Sequence, residues 1–246
     1  MHKLEINSSY LNFKDFTLDI ENHFTTNQNT IHKARNELKI LSHNNTNIVV
    51  KSFKKPNFIN RIVYTFLRSS KAKKSYEHSL KIEQFTPQPI SYIEYYVGGL
   101  LEKSYFISEQ FNYDFTIREP LLDDNFASKE EILRAFARFT LELHNKGIFH
   151  NDYSPGNILI KKEDGVFTFK IVDINRMKFF NLSELDRAKN FSKLWARDDE
   201  LHIMADEYTK YYKSNMDFSS LVCKYSNHNK QFKNFKKRLK GKTVND

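Results

Sequence analysis

An α+β fold of two lobes is what this sequence predicts: a β-rich first lobe with one helix over residues 1–110, then a small, mostly helical lobe over residues 111–246. Three observations predict it. Residues 10–55 alternate short apolar and polar patches, as half-buried antiparallel strands do. Apolar residues then recur at helical spacing after residue 128, and residues 183–212 read as helical too. Between the two regimes, Gln110-Phe111-Asn112 has the composition of a hinge.

In the first lobe all turns before residue 98 must form without glycine, because the six glycines lie at 98 or later. Asn-rich stretches such as Asn27-Gln-Asn29 and His43-Asn-Asn-Thr-Asn47 take that role, since asparagine tolerates left-handed backbone. Ile48-Val-Val-Lys51-Ser-Phe53 is the clearest strand. Residues 71–85 read as the lobe's helix, with Tyr76, Leu80 and Ile82 on its apolar side. Residues 90–97 and 100–109 form a hairpin around Gly98-Gly99.

In the second lobe Ser128-Lys-Glu-Glu131 is expected to open a helix as a capping box. Ile132, Leu133, Phe136, Phe139 and Leu143 then mark one helix face, and Gly147 is placed to end it. Strands follow at 148–150, 158–161 and 167–172, the last two joined through Glu163-Asp-Gly165.

The chemistry is carried by two short segments. Residues 149–160 read Phe-His150-Asn-Asp152-Tyr-Ser-Pro-Gly-Asn157-Ile-Leu-Ile, and residues 170–174 read Lys-Ile-Val-Asp173-Ile. An Asp, an Asn five residues on and a further Asp after an apolar run are the core of a phosphotransferase site. Asp152 can orient a hydroxyl and accept its proton. Asn157 and Asp173 can hold Mg²⁺, which leaves its other positions to water and phosphate of ATP. Each has a plainer reading, Asp152 and Asn157 as turn residues. A carboxylate set between Val172 and Ile174, however, is costly to bury without a cation or donors. His150 is expected to bond backbone near the metal loop rather than to take the proton. Lys51 ends a Val-Val-Lys strand, where kinases place the lysine that grips the α- and β-phosphates. A helix carboxylate should pair with it: Glu77, with Glu83 as the alternative. The arrangement as a whole is the two-lobed layout of a protein-kinase-like fold.

Composition narrows the partners. Net charge is +9 from 39 basic and 30 acidic residues, which favours an anionic partner. The single Cys223 excludes an internal disulfide and suits a reducing cytosol. No apolar run resembles a secretory signal or a membrane span, so a cytoplasmic chain is expected, with peripheral contact to a membrane surface from that side. Residues 51–81 carry nine basic residues, with Glu77 as the only acid and Phe53, Phe58, Tyr64, Phe66 and Tyr76 interleaved. The favoured reading is a cleft wall that attracts an acidic acceptor; a nucleic-acid face and a solvated surface are the others. In the tail, Lys230, Lys233, Lys236, Lys237, Arg238, Lys240 and Lys242 accompany Phe232, Phe235 and Leu239 on one helical face. That is either a membrane-surface helix or a frayed terminus.

Across roughly residues 30–200 the chain resembles the lipopolysaccharide kinases, including 3-deoxy-D-manno-octulosonic acid (Kdo) and heptose kinases. The resemblance rests on Val50-Lys51-Ser-Phe-Lys-Lys-Pro56-Asn57, Arg68-Ser-Ser-Lys71-Ala-Lys-Lys-Ser-Tyr76-Glu77 and Thr86-Pro87-Gln-Pro89-Ile-Ser-Tyr-Ile-Glu94. It continues through Ser104-Tyr105-Phe106-Ile-Ser-Glu109 and Leu143-His144-Asn-Lys-Gly147-Ile-Phe-His150-Asn-Asp152. It implies ATP- and Mg²⁺-dependent phosphorylation of a sugar hydroxyl on an anionic glycolipid, Kdo-lipid A, at the cytosolic face of the inner membrane. It implies no specific nucleic acid and no protein partner. It maps Lys51 to the phosphate-gripping lysine, Glu77 to its partner, Asp152 to the base, Asn157 and Asp173 to the metal ligands, and Gln110 and Phe111 to the adenine hinge. The chain departs from the wider kinase pattern in having no Gly-rich loop before Lys51. Cover for the phosphates is expected near residues 30–36, from Lys33 or Arg35. Asp173-Ile-Asn175 replaces Asp-Phe-Gly, and no long activation segment follows. An aminoglycoside-type kinase and a non-catalytic, nucleic-acid-binding module are the competing functions.

Overall fold

The computed structural model describes residues 1–33 and 36–241. Two compact units divide the chain: one holds Met1–Asn112 and Asp173–Asn175, the other Tyr113–Val172 and the residues from Arg176 onward.

Among the described residues, the first unit is built on an antiparallel six-stranded sheet of order β1-β5-β6-β4-β3-β2. Its strands are β1 (His2–Ile6), β2 (Thr30–Lys33), β3 (Asn36–His43), β4 (Thr46–Phe53), β5 (Pro89–Val97) and β6 (Leu100–Glu109). The β3–β4 turn places Asn44 and Asn45 at φ 49° and 58°, the left-handed pair that a two-residue hairpin needs. Gly98 and Gly99 do the same between β5 and β6, at φ 58° and 76°.

Residues 10–26 are not strands. A 3-10 turn (Ser8–Phe13) leads into α1 (Lys14–Leu18) and α2 (Ile20–Thr26). Phe13, Phe16, Ile20 and Phe24 fall on one helical side and pack with Ile48, Val50, Ile90, Ile93, Tyr105 and Ile107 against one sheet face. Burying that stripe decides the conformation; its steps of three and four residues suit a helix, not a strand. The other sheet face is covered by α4 (Lys71–Lys81), where Ala72 and Tyr76 meet Phe53 and Tyr92. Ser70 caps α4 by accepting from the Lys73 amide. Before it, α3 (Phe58–Ile62) runs directly into a π-helical turn (Val63–Leu67), an element the sequence reading left out.

In the second unit β7 (Phe115–Thr116), β9 (Ile158–Glu163) and β10 (Val166–Ile171) form one sheet, and β8 (Ile148–Phe149) pairs with β11 (Lys178–Phe179). After the short α5 (Arg118–Leu122), the main helix α6 spans Lys129–Asn145. The expected capping box does not form: Ser128 sits at φ 59°, and its side chain makes no cap bond. Gly147, at φ 70°, ends the helix by donating to the His144 carbonyl. A capping box occurs instead at Ser183 and Asp186, opening α7 (Glu184–Asn190). Residues 183–212 are broken before α8 (Asp198–Thr209). The first part of α9 (Phe218–Arg238) buries Phe218 and Val222, whereas Phe232, Phe235 and Leu239 beyond it are exposed. No helix of the described residues is long and apolar enough to cross a membrane.

Candidate active site

In the first unit, alternation along β4 sends Ile48 and Val50 to the helix-covered core and Lys51 and Phe53 to the opposite face, beside α4. The Lys51 Nζ lies 2.6 Å from Asp173 Oδ1. The same oxygen accepts from the Asn175 side chain at 2.8 Å. Asp173 holds φ 57°, a conformation that costs a non-glycine residue about 1–3 kcal/mol and persists where surrounding structure imposes it. Next to it, the Ile174 carbonyl lies 2.8 Å from His78 Nδ1 of α4. Three contacts from β4, α4 and Asn175 thus fix this segment.

The carboxylate facing Lys51 is therefore Asp173, where the sequence reading expected Glu77. Tyr76 and Ser75 take the buried side of α4. That turns Glu77 outward, 3.8 Å from Lys73 one helical turn back. Glu83, the alternative, is exposed at the start of a 3-10 turn. At the end of β6 the Gln110 amide donates to the Asn47 carbonyl at 2.9 Å. The Lys33 side chain and all of Arg35, expected as phosphate cover, lie outside the described residues. The basic run also has an acid the sequence hid: Glu102 on β6 pairs with Lys55 and with Arg61.

In the second unit the loop after β8 gathers the other candidates. His150 Nδ1 accepts from the Asp152 amide at 3.1 Å, so its Nε2 carries the hydrogen and donates to the Val172 carbonyl at 2.9 Å. His150 is thus a neutral backbone clamp, as expected of it. The Asn157 side-chain nitrogen donates to the Asp152 carbonyl at 2.9 Å, which fixes the orientation of the side-chain amide. Tyr153 anchors the loop: it is fully buried, stacks on Phe136 of α6 and donates to Thr140 Oγ1 at 2.9 Å. Burial pushes its phenol up.

A buried relay supports the same loop, and the sequence reading missed it. Arg187 donates to the Tyr208 hydroxyl at 2.9 Å, and that hydroxyl bonds His144 Nδ1 at 2.8 Å. His144 Nε2 donates to Asn190 Oδ1 at 3.1 Å, and Asn190 Nδ2 donates to the His150 carbonyl at 2.9 Å. Burial, aided by Arg187 and opposed by the Asn190 bond, pushes His144 down to about 3, so it stays neutral. Lys193 was also missed. Its ammonium bonds the Asn151 carbonyl and is held down by burial, while the charge of nearby Asp152 pulls the other way. Arg118 lies against Gly156, where an added Cβ would come within 2.7 Å of its guanidinium. Only the fold brings these residues to the loop; no local pattern announces them.

The two metal ligands expected from the sequence, the Asp173 carboxylate and the Asn157 side-chain amide, are of the hard oxygen type that suits Mg²⁺. Among the described residues no group of three or more His, Cys, Asp or Glu side chains could hold a metal alone.

Residues 80–213 match the sequence profile described as the lipopolysaccharide kinase (Kdo/WaaP) family. Among solved structures, the WaaP of a complex with acyl carrier protein has a similar fold. Its TM-score is 0.61 at 12% identity, over 93% of this chain and 98% of that one. A Rio2 kinase–ADP/Mg²⁺–phosphoaspartate complex from Chaetomium thermophilum is matched at TM-score 0.48 and 15% identity, over 85% of this chain and 65% of that one. No curated protein matches the sequence.

Proposed function

Because the chain belongs to the lipopolysaccharide kinase (Kdo/WaaP) family, we propose that it transfers the γ-phosphoryl group of ATP to a sugar hydroxyl, of Kdo or heptose, in the lipopolysaccharide inner core. The observation that carries this reading is the Lys51–Asp173 pair, which joins residues 122 positions apart. It unites the two residue types that a kinase needs at the phosphates, and the fold holds the Asp in a strained backbone to do so.

Each residue's part follows from its surroundings. Asp152, its backbone tied at both ends, presents its carboxylate to the acceptor hydroxyl and takes the proton as the new P–O bond forms and ADP leaves. Asn157 and Asp173 would hold Mg²⁺, which when bound neutralises charge on the phosphate oxygens. Lys51 would grip the α- and β-phosphates once Asp173 turns to the metal. The Gln110 carbonyl and Phe111 backbone would meet the adenine edge. Lys193 would hold the loop and lend positive potential beside Asp152. The net charge of +9 suits an anionic glycolipid acceptor.

Mass spectrometry of Kdo-lipid A incubated with the protein, ATP and Mg²⁺ tests the reading. One phosphate should be gained on the Kdo portion, and Asp152→Ala should lower the rate by roughly 10²–10⁴. Full activity in that variant would remove Asp152 from the mechanism; no transfer to Kdo- or heptose-bearing acceptors would remove the reaction. Because WaaP has been solved with acyl carrier protein, co-purification with that protein checks the expectation that no protein partner is involved.

A further inference from the structure

The ten residues Phe58–Ile62 and Val63–Leu67 form a helical segment whose amphipathicity is inverted. Its polar side faces the protein. Arg61 donates to the Leu101 carbonyl at 2.9 Å and pairs with Glu102 at 2.8 Å, and Thr65 Oγ1 accepts from the Leu101 amide at 3.0 Å. Its apolar side faces outward: Phe58, Ile59, Phe66 and Leu67 are each at least 66% exposed, and Ile62 is exposed with them. A surface helix that docked only on its own sheet would have the reverse pattern.

The π turn sharpens the pattern. The Arg68 amide donates to the Val63 carbonyl, five residues back, at 3.0 Å. A turn that takes in an extra residue advances each position by less than the α-helical value of about 100°. Phe58, Ile62 and Phe66, spaced by four, share one side in either geometry, and the smaller step of the π turn brings Leu67 nearer to that side. Five large apolar side chains thus share the outward side, and a contiguous exposed apolar patch marks an interaction surface.

Charge names the occupant. Lys54, Lys55 and Arg68 are exposed at the two ends of the segment. From residue 51 to residue 76 the sequence has no acid, and Glu102, which meets Lys55 and Arg61, is the carboxylate contributed from β6. Bulky apolar groups flanked by Lys and Arg fit the boundary between acyl chains and anionic headgroups. We propose that the segment from Lys54 to Arg68 docks the first unit on an anionic lipid surface, with Phe58, Ile59, Ile62, Phe66 and Leu67 inserted below the headgroups. The proposal is independent of the phosphotransfer chemistry.

The test is cosedimentation of the full chain, without nucleotide, with vesicles of phosphatidylglycerol and phosphatidylcholine in equal parts. Binding should weaken as salt rises and fall on pure phosphatidylcholine. Phe58→Ser with Phe66→Ser should lower partitioning about 100-fold with an unchanged circular dichroism spectrum, while Phe58→Leu with Phe66→Leu should keep it. The double serine variant leaves the α9 residues Phe232, Phe235 and Leu239 in place, so undiminished binding would assign the lipid contact to them and overturn the proposal. Absence of wild-type binding would overturn it too. So would a lipid-free dimer that the serine substitutions convert to a monomer, because a second copy would then be the occupant.

Discussion

Acidification from about pH 7.5 to about pH 5 should weaken the second unit through one buried imidazole, and the size of the effect can be worked out. Inside the Arg187–Tyr208–His144–Asn190 relay, His144 is pushed from 6.5 down to about 3, chiefly by burial. The unfolded chain takes up a proton at this ring below its ordinary value, and the folded chain does not until about 3. The stabilisation is thus complete above about 6.5 and is lost as pH falls toward 3. Each pH unit inside that window is worth about 1.4 kcal/mol, so by pH 5 the loss reaches about 2 kcal/mol. Urea unfolding followed by the fluorescence of Trp195, the single tryptophan, reads the same unit. His144→Gln supplies the comparison. It should cost about 1–3 kcal/mol at neutral pH through broken buried hydrogen bonds, but it removes the titrating group. Wild type should then lose about 2 kcal/mol more than the variant between the two pH values. Equal losses would show that His144 carries its proton in the folded state and that the relay runs otherwise.

Two further substitutions separate chemistry from scaffold. Asp173→Asn keeps an acceptor for Asn175 and a residue tolerant of positive φ, so the melting temperature should hold while Mg²⁺-dependent turnover disappears. Nucleotide titrations with and without Mg²⁺ check it, and retained Mg²⁺ dependence would move the metal elsewhere. Tyr153→Ala should destabilise by about 3–5 kcal/mol by emptying a buried ring site, and Tyr153→Phe by only about 1 kcal/mol for the lost hydrogen bond; denaturant midpoints decide between them.

What could be read from the sequence was what short-range pattern encodes. Ile48–Phe53 as a strand, residues 129–145 as a helix and Gly98-Gly99 as a hairpin turn all declare themselves within one window of residues. So does the His150–Asn157 loop, in which the His150 and Asn157 side chains bond backbone carbonyls. The failures share a cause. Phe13, Phe16, Ile20 and Phe24 carry a helical period, but it is submerged in a stretch whose later part is strand. The carboxylate of Lys51 was sought on the nearest helix, whereas it comes from a residue 122 positions away. Ser128 has the right letters for a cap and the wrong backbone angle. Phe58 and Phe66 looked like part of a charged cleft wall, because sequence alone does not say which side of a helix its sheet occupies. Asn190 and Lys193 reach the candidate loop only through the packing of the second unit.

The division of the chain has a consequence for inheritance. The first unit is not encoded by one stretch: it needs Met1–Asn112 and also Asp173–Asn175, which are translated from inside the region that encodes the second. A gene cut at the codon for Asn112 would deliver Lys51 without Asp173 and His78 without the Ile174 carbonyl. The two units are therefore poor candidates for shuffling by a single recombination event. A working exchange between relatives would have to carry the three-codon insert along with the upstream segment, so the halves are expected to descend together.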